Sequence, residues 1–262
     1  MNKIQAIILD LDGTLLDDEK RVSARTIELL KSIKDEIKII PASARQFCRI
    51  KPYLEEIGLL DNNNYTICLN GSLIVNNEEE VLFSQHIDED VIVGIDNFIL
   101  NSGIEWTYYL YDSRITRSKI TNIEEFACSN KVYKIVGLAS PDVISGLRSS
   151  LPSYLQEKME VTSSELDRIE FVKKGMTKVD AIDMLMKKLE IDRELIVAIG
   201  DGDNDNDNDM LKYAGIGIAM QNAPDNVKIN ADLITKYSNN EDGVYHMINE
   251  LMSKGIVRKR NL

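Results

Sequence analysis

Short apolar runs recur along the chain, and each ends in small or polar residues. "IQAIILD" leads into Leu11-Asp12-Gly13-Thr14, "IKIIPA" into Ser43, and "YTICL" into Asn70-Gly71. "ELIVAIG" leads into Asp201 and "GIGIAM" into Gln221-Asn222. Continuous apolar runs of this length suit strands buried on both faces, as in parallel sheets. Between most of them lie stretches with helical spacing. "SARTIELLKSIKDE" starts at a capping residue, Ser23, and sets Ile27, Leu30 and Ile33 on one side. "TKVDAIDMLMKKLE" does the same with Val179, Ile182, Leu185 and Leu189. Strands alternating with amphipathic helices predict an α/β fold with an open, Rossmann-like parallel sheet. Ligands of such sheets bind beyond the carboxyl ends of the strands, so the polar residues above should converge at one edge.

The middle of the chain has a different rhythm. A helix candidate, "DEDVIVGIDNFILNSG", precedes an aromatic strand, "EWTYYLY". A strand, "KVYKIVGLA", then a helix, "SPDVISGLRSSL", and two strand-like runs, "EKMEVTS" and "DRIEFVK", follow. This pattern predicts a small α/β cap over 84–169, inserted into a core formed by 1–83 and 170–262.

At 262 residues and 44% hydrophobic, the chain can bury a sizeable core. Its formal net charge of -12 argues against nucleic acid or an anionic membrane surface as a partner. The basic tail around Arg258, Lys259 and Arg260 reads as a solvated end. The three cysteines lack metal-type spacing, there is no signal-peptide pattern, and no stretch approaches a membrane span. A cytoplasmic setting is therefore expected.

Two segments carry candidate chemistry. In "DLDGT", Asp10 and Asp12 sit directly after the first strand, and Gly13 permits a tight turn. Two carboxylates at a strand end suit phosphoryl transfer, one as nucleophile and one as proton donor and acceptor. In "GDGDNDNDNDML", five aspartates alternate from Asp201 to Asp209. An EF-hand reading fails, since the sixth position is Asn206 and the twelfth Lys212. Hard oxygen ligands after a buried strand suit Mg²⁺ instead. His86 and His246 fall in no strand-end motif, which disfavours zinc chemistry.

"ILDLDGTLL" resembles the first motif of the haloacid dehalogenase superfamily, and the other motifs follow in order. "PASAR" resembles the second, "KKGMTK" the third and "GDGDND" the fourth. Arg45, Asn70-Gly71, "AMQNAPDNVK" and "ADLIT…NNEDGV" resemble the Cof-type sugar-phosphatase branch. The resemblance implies Asp10 as nucleophile and Asp12 as general acid and base. It implies Ser43, Lys178 and Asn204 as phosphate contacts, with Asn70, Gly71 and Asn222 as substrate-site or supporting residues. Ser43 also reads as the N-cap of a helix over "ARQFCRI". Asp10, Asp12, Asp201 and a further acid would hold Mg²⁺. Counted from Gly200 that acid is Asp205; counted back from Met210-Leu211 it is Asp207. A loop measured from a rigid strand end favours Asp205.

The implied activity is Mg²⁺-dependent hydrolysis of a small phosphorylated metabolite, a sugar phosphate above all, through an aspartyl-phosphate. A phosphomutase and a non-catalytic phosphometabolite-binding protein share the same motifs. The aromatic run offers Trp106, Tyr108, Tyr109, Arg114 and Arg117 as specificity residues or as plain cap sheet. The sequence leaves the oligomeric state open.

Overall fold

The structure is a computed structural model that describes residues 3–100, 102–162, 167–202 and 206–257, at 206 the backbone only. The chain begins with β1 (Ala6–Leu9), α1 (Ala24–Ile33), β2 (Lys38–Pro41) and α2 (Phe47–Ile57). Three short strands follow, β3 (Tyr65–Cys68), β4 (Leu73–Asn76) and β5 (Val81–Ser84). Next come α3 (Glu89–Ile99), β6 (Trp106–Tyr109), β7 (Arg114–Thr116), α4 (Ile123–Ser129) and β8 (Lys134–Leu138). Then follow α5 (Pro141–Ser150), α6 (Ser153–Lys158), β9 (Met159–Thr162) and β10 (Arg168–Lys173). The last part holds α7 (Lys178–Leu189), β11 (Ile196–Gly200), α8 (Asn206–Tyr213) and β12 (Ile216–Ala219). It ends with α9 (Asp225–Lys228), β13 (Leu233–Ile234) and α10 (Gly243–Ser253).

A parallel sheet in the order β13-β12-β11-β1-β2 forms the first layer. β1 and β11 are buried along their whole length, which is why their sequences are unbroken apolar runs. α1 packs against α2 and α10, and α7 against α8. The Ser23 hydroxyl accepts from Thr26 N and starts α1, whose buried face is Thr26, Leu29, Leu30 and Ile33.

"YTICL" departs from the parallel pattern. As β3 it pairs antiparallel with β4 in a three-stranded sheet, β3-β4-β5. One isolated parallel bridge, Ala42 to Ile67, joins it to the end of β2. An apolar run bounded by turns shows burial but not the direction of its partner, so the two cases look alike in sequence.

A separate antiparallel sheet has the order β7-β6-β8-β10-β9. Its buried residues, Trp106, Tyr108, Ile135 and Phe171 among them, form a second hydrophobic cluster with Val91, Ile92, Ile95 and Ile99 of α3. The first cluster draws on residues from Ile4 to Val75 and from Ala181 to Val257, with Tyr133 between. No described helix is long and apolar enough to cross a membrane.

Candidate active site

Parallel pairing sets three strand ends side by side. Leu9 is in register with Pro41 on one flank and Ile199 on the other. Asp10 N donates to Ile199 O at 3.0 Å, and Ala42 N donates to Leu9 O at 2.8 Å. Asp10, Ser43 and Asp201 therefore leave their strands at one edge of the sheet, as the strand-end rule requires.

Lys178 reaches the same edge from a helix start. Thr177 and Asp180 form a capping box, in which Thr177 N donates to Asp180 Oδ2 at 2.9 Å and Asp180 N to Thr177 Oγ1 at 3.3 Å. Lys178 is then the first helical residue, and only 4% of it is exposed. Its ammonium donates to Asp10 Oδ1 and to Asp207 Oδ1, each at 2.6 Å. Asp207 lies in the first turn of α8, is 2% exposed, and accepts from Gly202 N at 2.9 Å through its other oxygen. Asn204 and Asp205 lie outside the described residues, while Asp209 is exposed.

Asp201 accepts from Thr14 Oγ1 at 2.9 Å. Gly13 explains how closely its loop approaches Asp201: its φ is +76°, and a Cβ there would lie 2.1 Å from Asp201 Oδ2. Asn222 braces the same loop, donating to Gly13 O at 2.8 Å and accepting from Asn239 N at 3.0 Å.

Asp10, Asp201 and Asp207 each present a carboxylate oxygen within 4.8 Å of the others. Burial, reinforced by Asp207, holds the Asp10 carboxyl well above the usual carboxylate range, and Lys178 only partly opposes this. Burial and Asp207 likewise push Asp201 up to about 7. Burial alone would lower Lys178, but Asp10 and Asp207 drive its pKa up instead, so it stays charged. With all three carboxylates ionised, one ammonium would leave their negative charge in excess, which adds to burial in making Asp10 and Asp201 hold protons so readily. A hard divalent cation fits that donor set.

Asp12 shifts in the opposite direction. Burial would raise its pKa, but Arg45 and Lys20 lower it. Arg45 grips both oxygens at 2.6 Å and Lys20 donates to Oδ1 at 2.6 Å. Ser43 is buried, and its hydroxyl accepts from Arg45 N at 3.2 Å. It caps this turn and not a helix, because α2 begins four residues later with Gln46 at its N-cap. Asn70 is fully buried, with its amide on Glu170 Oε2 at 2.7 Å and Thr162 Oγ1 at 3.4 Å. Gly71, at φ +103°, packs so closely on Thr177 that a Cβ would lie 2.1 Å from Thr177 O.

In the aromatic run, Trp106 and Tyr108 are buried in the second cluster. The Tyr108 hydroxyl and Arg117 both donate to Asp96. Lys20 was not singled out in the sequence, because it sits in the exposed-looking string "DDEKR". Its left-handed backbone, φ +61°, turns it back onto Asp12.

A family model described as haloacid dehalogenase-like hydrolase matches residues 7–248. The chain is 28% identical to the candidate phosphatase YxeH of Bacillus subtilis (strain 168), over 94% of this chain and 97% of that protein. It is 27% identical to the 5-amino-6-(5-phospho-D-ribitylamino)uracil phosphatase YcsE of the same organism, over 92% of this chain and 93% of that one. Its structure resembles a crystal structure of a haloacid dehalogenase-like hydrolase from Bacteroides thetaiotaomicron. The TM-score is 0.81 at 29% identity, covering 95% of this chain and 100% of that one.

Proposed function

The chain belongs to the haloacid dehalogenase-like hydrolases and is a phosphoric monoester hydrolase, and from that premise we propose a two-step mechanism carried by Asp10 and Asp12. The observation that supports it is the Lys178 ammonium held 2.6 Å from both Asp10 and Asp207 at the strand edge. Asp10 attacks phosphorus, the bond to the leaving oxygen breaks, and Asp12 protonates that oxygen. Asp12 then takes a proton from water, which attacks the aspartyl-phosphate and frees inorganic phosphate and Asp10. Lys178 and Ser43 bind the phosphoryl oxygens, and Lys178 offsets the negative charge of the transition state.

In the described geometry Arg45 and Lys20 keep Asp12 ionised, the form that accepts a proton. Its acid role requires release from at least one of these cations, which an anionic substrate can draw toward itself. Asp10, Asp201 and Asp207 fit Mg²⁺, with the Asp12 carbonyl as a further oxygen donor. Bound there, Mg²⁺ would supply charge neutralisation at the phosphoryl group.

The substrate class is a small phosphorylated metabolite with a sugar or sugar-alcohol body. The ribityl phosphate substrate named for the relative YcsE supports this reading. The segment 84–169, continued to the end of β10 at Lys173, serves as a cap over the core edge. The test is phosphate release from a panel of phosphomonoesters with Mg²⁺, for wild type and Asp10→Asn. Turnover by wild type and background release by a folded Asp10→Asn are expected. Wild-type rates in the variant would refute the nucleophile.

A further inference from the structure

Three consecutive carbonyls of the loop that carries Ser43 are each held by a different donor. Ser43 O accepts from Asn70 N at 3.2 Å, and Arg45 O from Leu69 N at 3.0 Å. The middle carbonyl, Ala44 O, accepts from Lys134 Nζ at 3.1 Å. Lys134 belongs to β8 of the antiparallel sheet, so this bond runs from the second sheet to the phosphate-site loop of the first.

Lys134 is 3% exposed and Glu170, on the neighbouring β10, is 1% exposed. Lys134 is in register with Val172, so Glu170, two residues away, shares its face of the sheet. The Lys134 ammonium lies 3.2 Å from Glu170 Oε2 and 5.1 Å from the centre of the Tyr109 ring. Glu170 Oε2 also accepts from Asn70 Nδ2 at 2.7 Å. Leu69, Asn70 and Gly71 all have left-handed backbones, at φ +52°, +60° and +103°. Strain of this kind persists only where the surroundings impose it. The buried Asn70 amide Oδ1 has no hydrogen-bond partner among the described residues, a further cost of holding this turn.

A buried charge pair is a poor source of net stability, because desolvation offsets the attraction. Hydrophobic residues would fill this part of the sheet equally well. The pair makes sense for the carbonyl and the turn it holds. We propose that Lys134 and Glu170 form a positioning pair that fixes the Ser43–Arg45 loop and the Asn70-Gly71 turn. Through them the pair sets where Ser43 meets the phosphoryl group. Neither residue touches the substrate. The inference rests on the phosphatase reading above.

The variant Lys134→Met/Glu170→Gln removes both charges and leaves Asn70 an amide oxygen to bond. Its kcat/KM for p-nitrophenyl phosphate with Mg²⁺ should fall by roughly 10- to 100-fold, the scale of a small misplacement of a binding group. The loss should shrink at least severalfold in a Ser43→Ala background, because the pair acts in large part through that hydroxyl. A purely structural role would cost the same factor in both backgrounds. A folded double variant within twofold of wild type, or equal losses in the two backgrounds, would overturn the proposal. If the double variant does not melt cooperatively, Lys134→Arg takes its place: it keeps the charge pair and alters the reach to Ala44. Its loss in kcat/KM must also shrink with Ser43→Ala, and no loss or an additive one overturns the proposal. Wild-type protein that releases no phosphate would instead sink the phosphatase reading. Positioning is then judged by calorimetry of inorganic phosphate binding with Mg²⁺, where weaker binding by the variants is expected and unchanged affinity is fatal to the proposal.

Discussion

At the scale of single residues, the aspartate run shows how much one side chain's direction decides. Strand geometry fixes Asp201 directly after β11, and the two ways of counting onward disagree by two residues. Counting from the strand gives Asp205, which lies outside the described residues. Counting back from Met210-Leu211 gives Asp207, and both of those anchor residues are buried in the first cluster. The contacts of Asp207 with Lys178 and Gly202 favour it as the second acid. We therefore expect Asp207→Ala to lose kcat by about 100-fold or more, the cost of removing a preorganised charge partner at a reacting site. Asp205→Ala should keep its Mg²⁺ response. Side-by-side Mg²⁺ titrations of the two variants check this, and the reverse ranking would restore the count from the strand.

At the scale of elements, most of what places the site is written in local pattern. Buried parallel strands are apolar throughout, and a polar residue after one marks a ligand edge, so Asp10, Ser43 and Asp201 were legible. Lys178 was legible through the third-motif resemblance, whereas the Thr177–Asp180 capping box that starts α7 emerged only in the structure. Contacts between distant segments were not. Nothing near Lys134 or Glu170 in the sequence signals that they meet, because sheet register is set by three-dimensional pairing. "YTICL" could not declare its direction for the same reason. Asn70-Gly71, implied as substrate-site or supporting residues, form a turn whose Gly71 packs on Thr177 O, one residue before Lys178. Gly71→Ala should therefore destabilise the fold by about 1–3 kcal/mol from backbone strain alone, with the clash in addition. It should also depress kcat by displacing Lys178. Urea unfolding and steady-state kinetics on the same preparation check both effects, and an unchanged midpoint would show that the turn can relax.

At the scale of the whole molecule, one hydrophobic cluster joins the parallel sheet and the three-stranded sheet, a second belongs to the five-stranded antiparallel sheet, and the candidate metal site lies on the first cluster's side. A ligand that binds only the native state stabilises the part that carries its site. At a hundredfold excess over its Kd, Mg²⁺ should add about 2.7 kcal/mol to that part. For a unit of this size this corresponds to a rise in Tm of roughly 5–10 °C. If the sheets melt separately, only the transition of the parallel sheet should move. If the Lys134–Glu170 pair and its bonds to Ala44 and Asn70 couple the two, they should move together. Asp201→Asn should abolish the Mg²⁺ shift, because it removes one of the three clustered carboxylates while leaving an oxygen for Thr14 to bond. Differential scanning calorimetry of wild type and Asp201→Asn, with and without Mg²⁺, reads both outcomes. A shift of equal size in the two proteins would place the ion away from the strand edge and remove the charge argument on which the metal assignment stands.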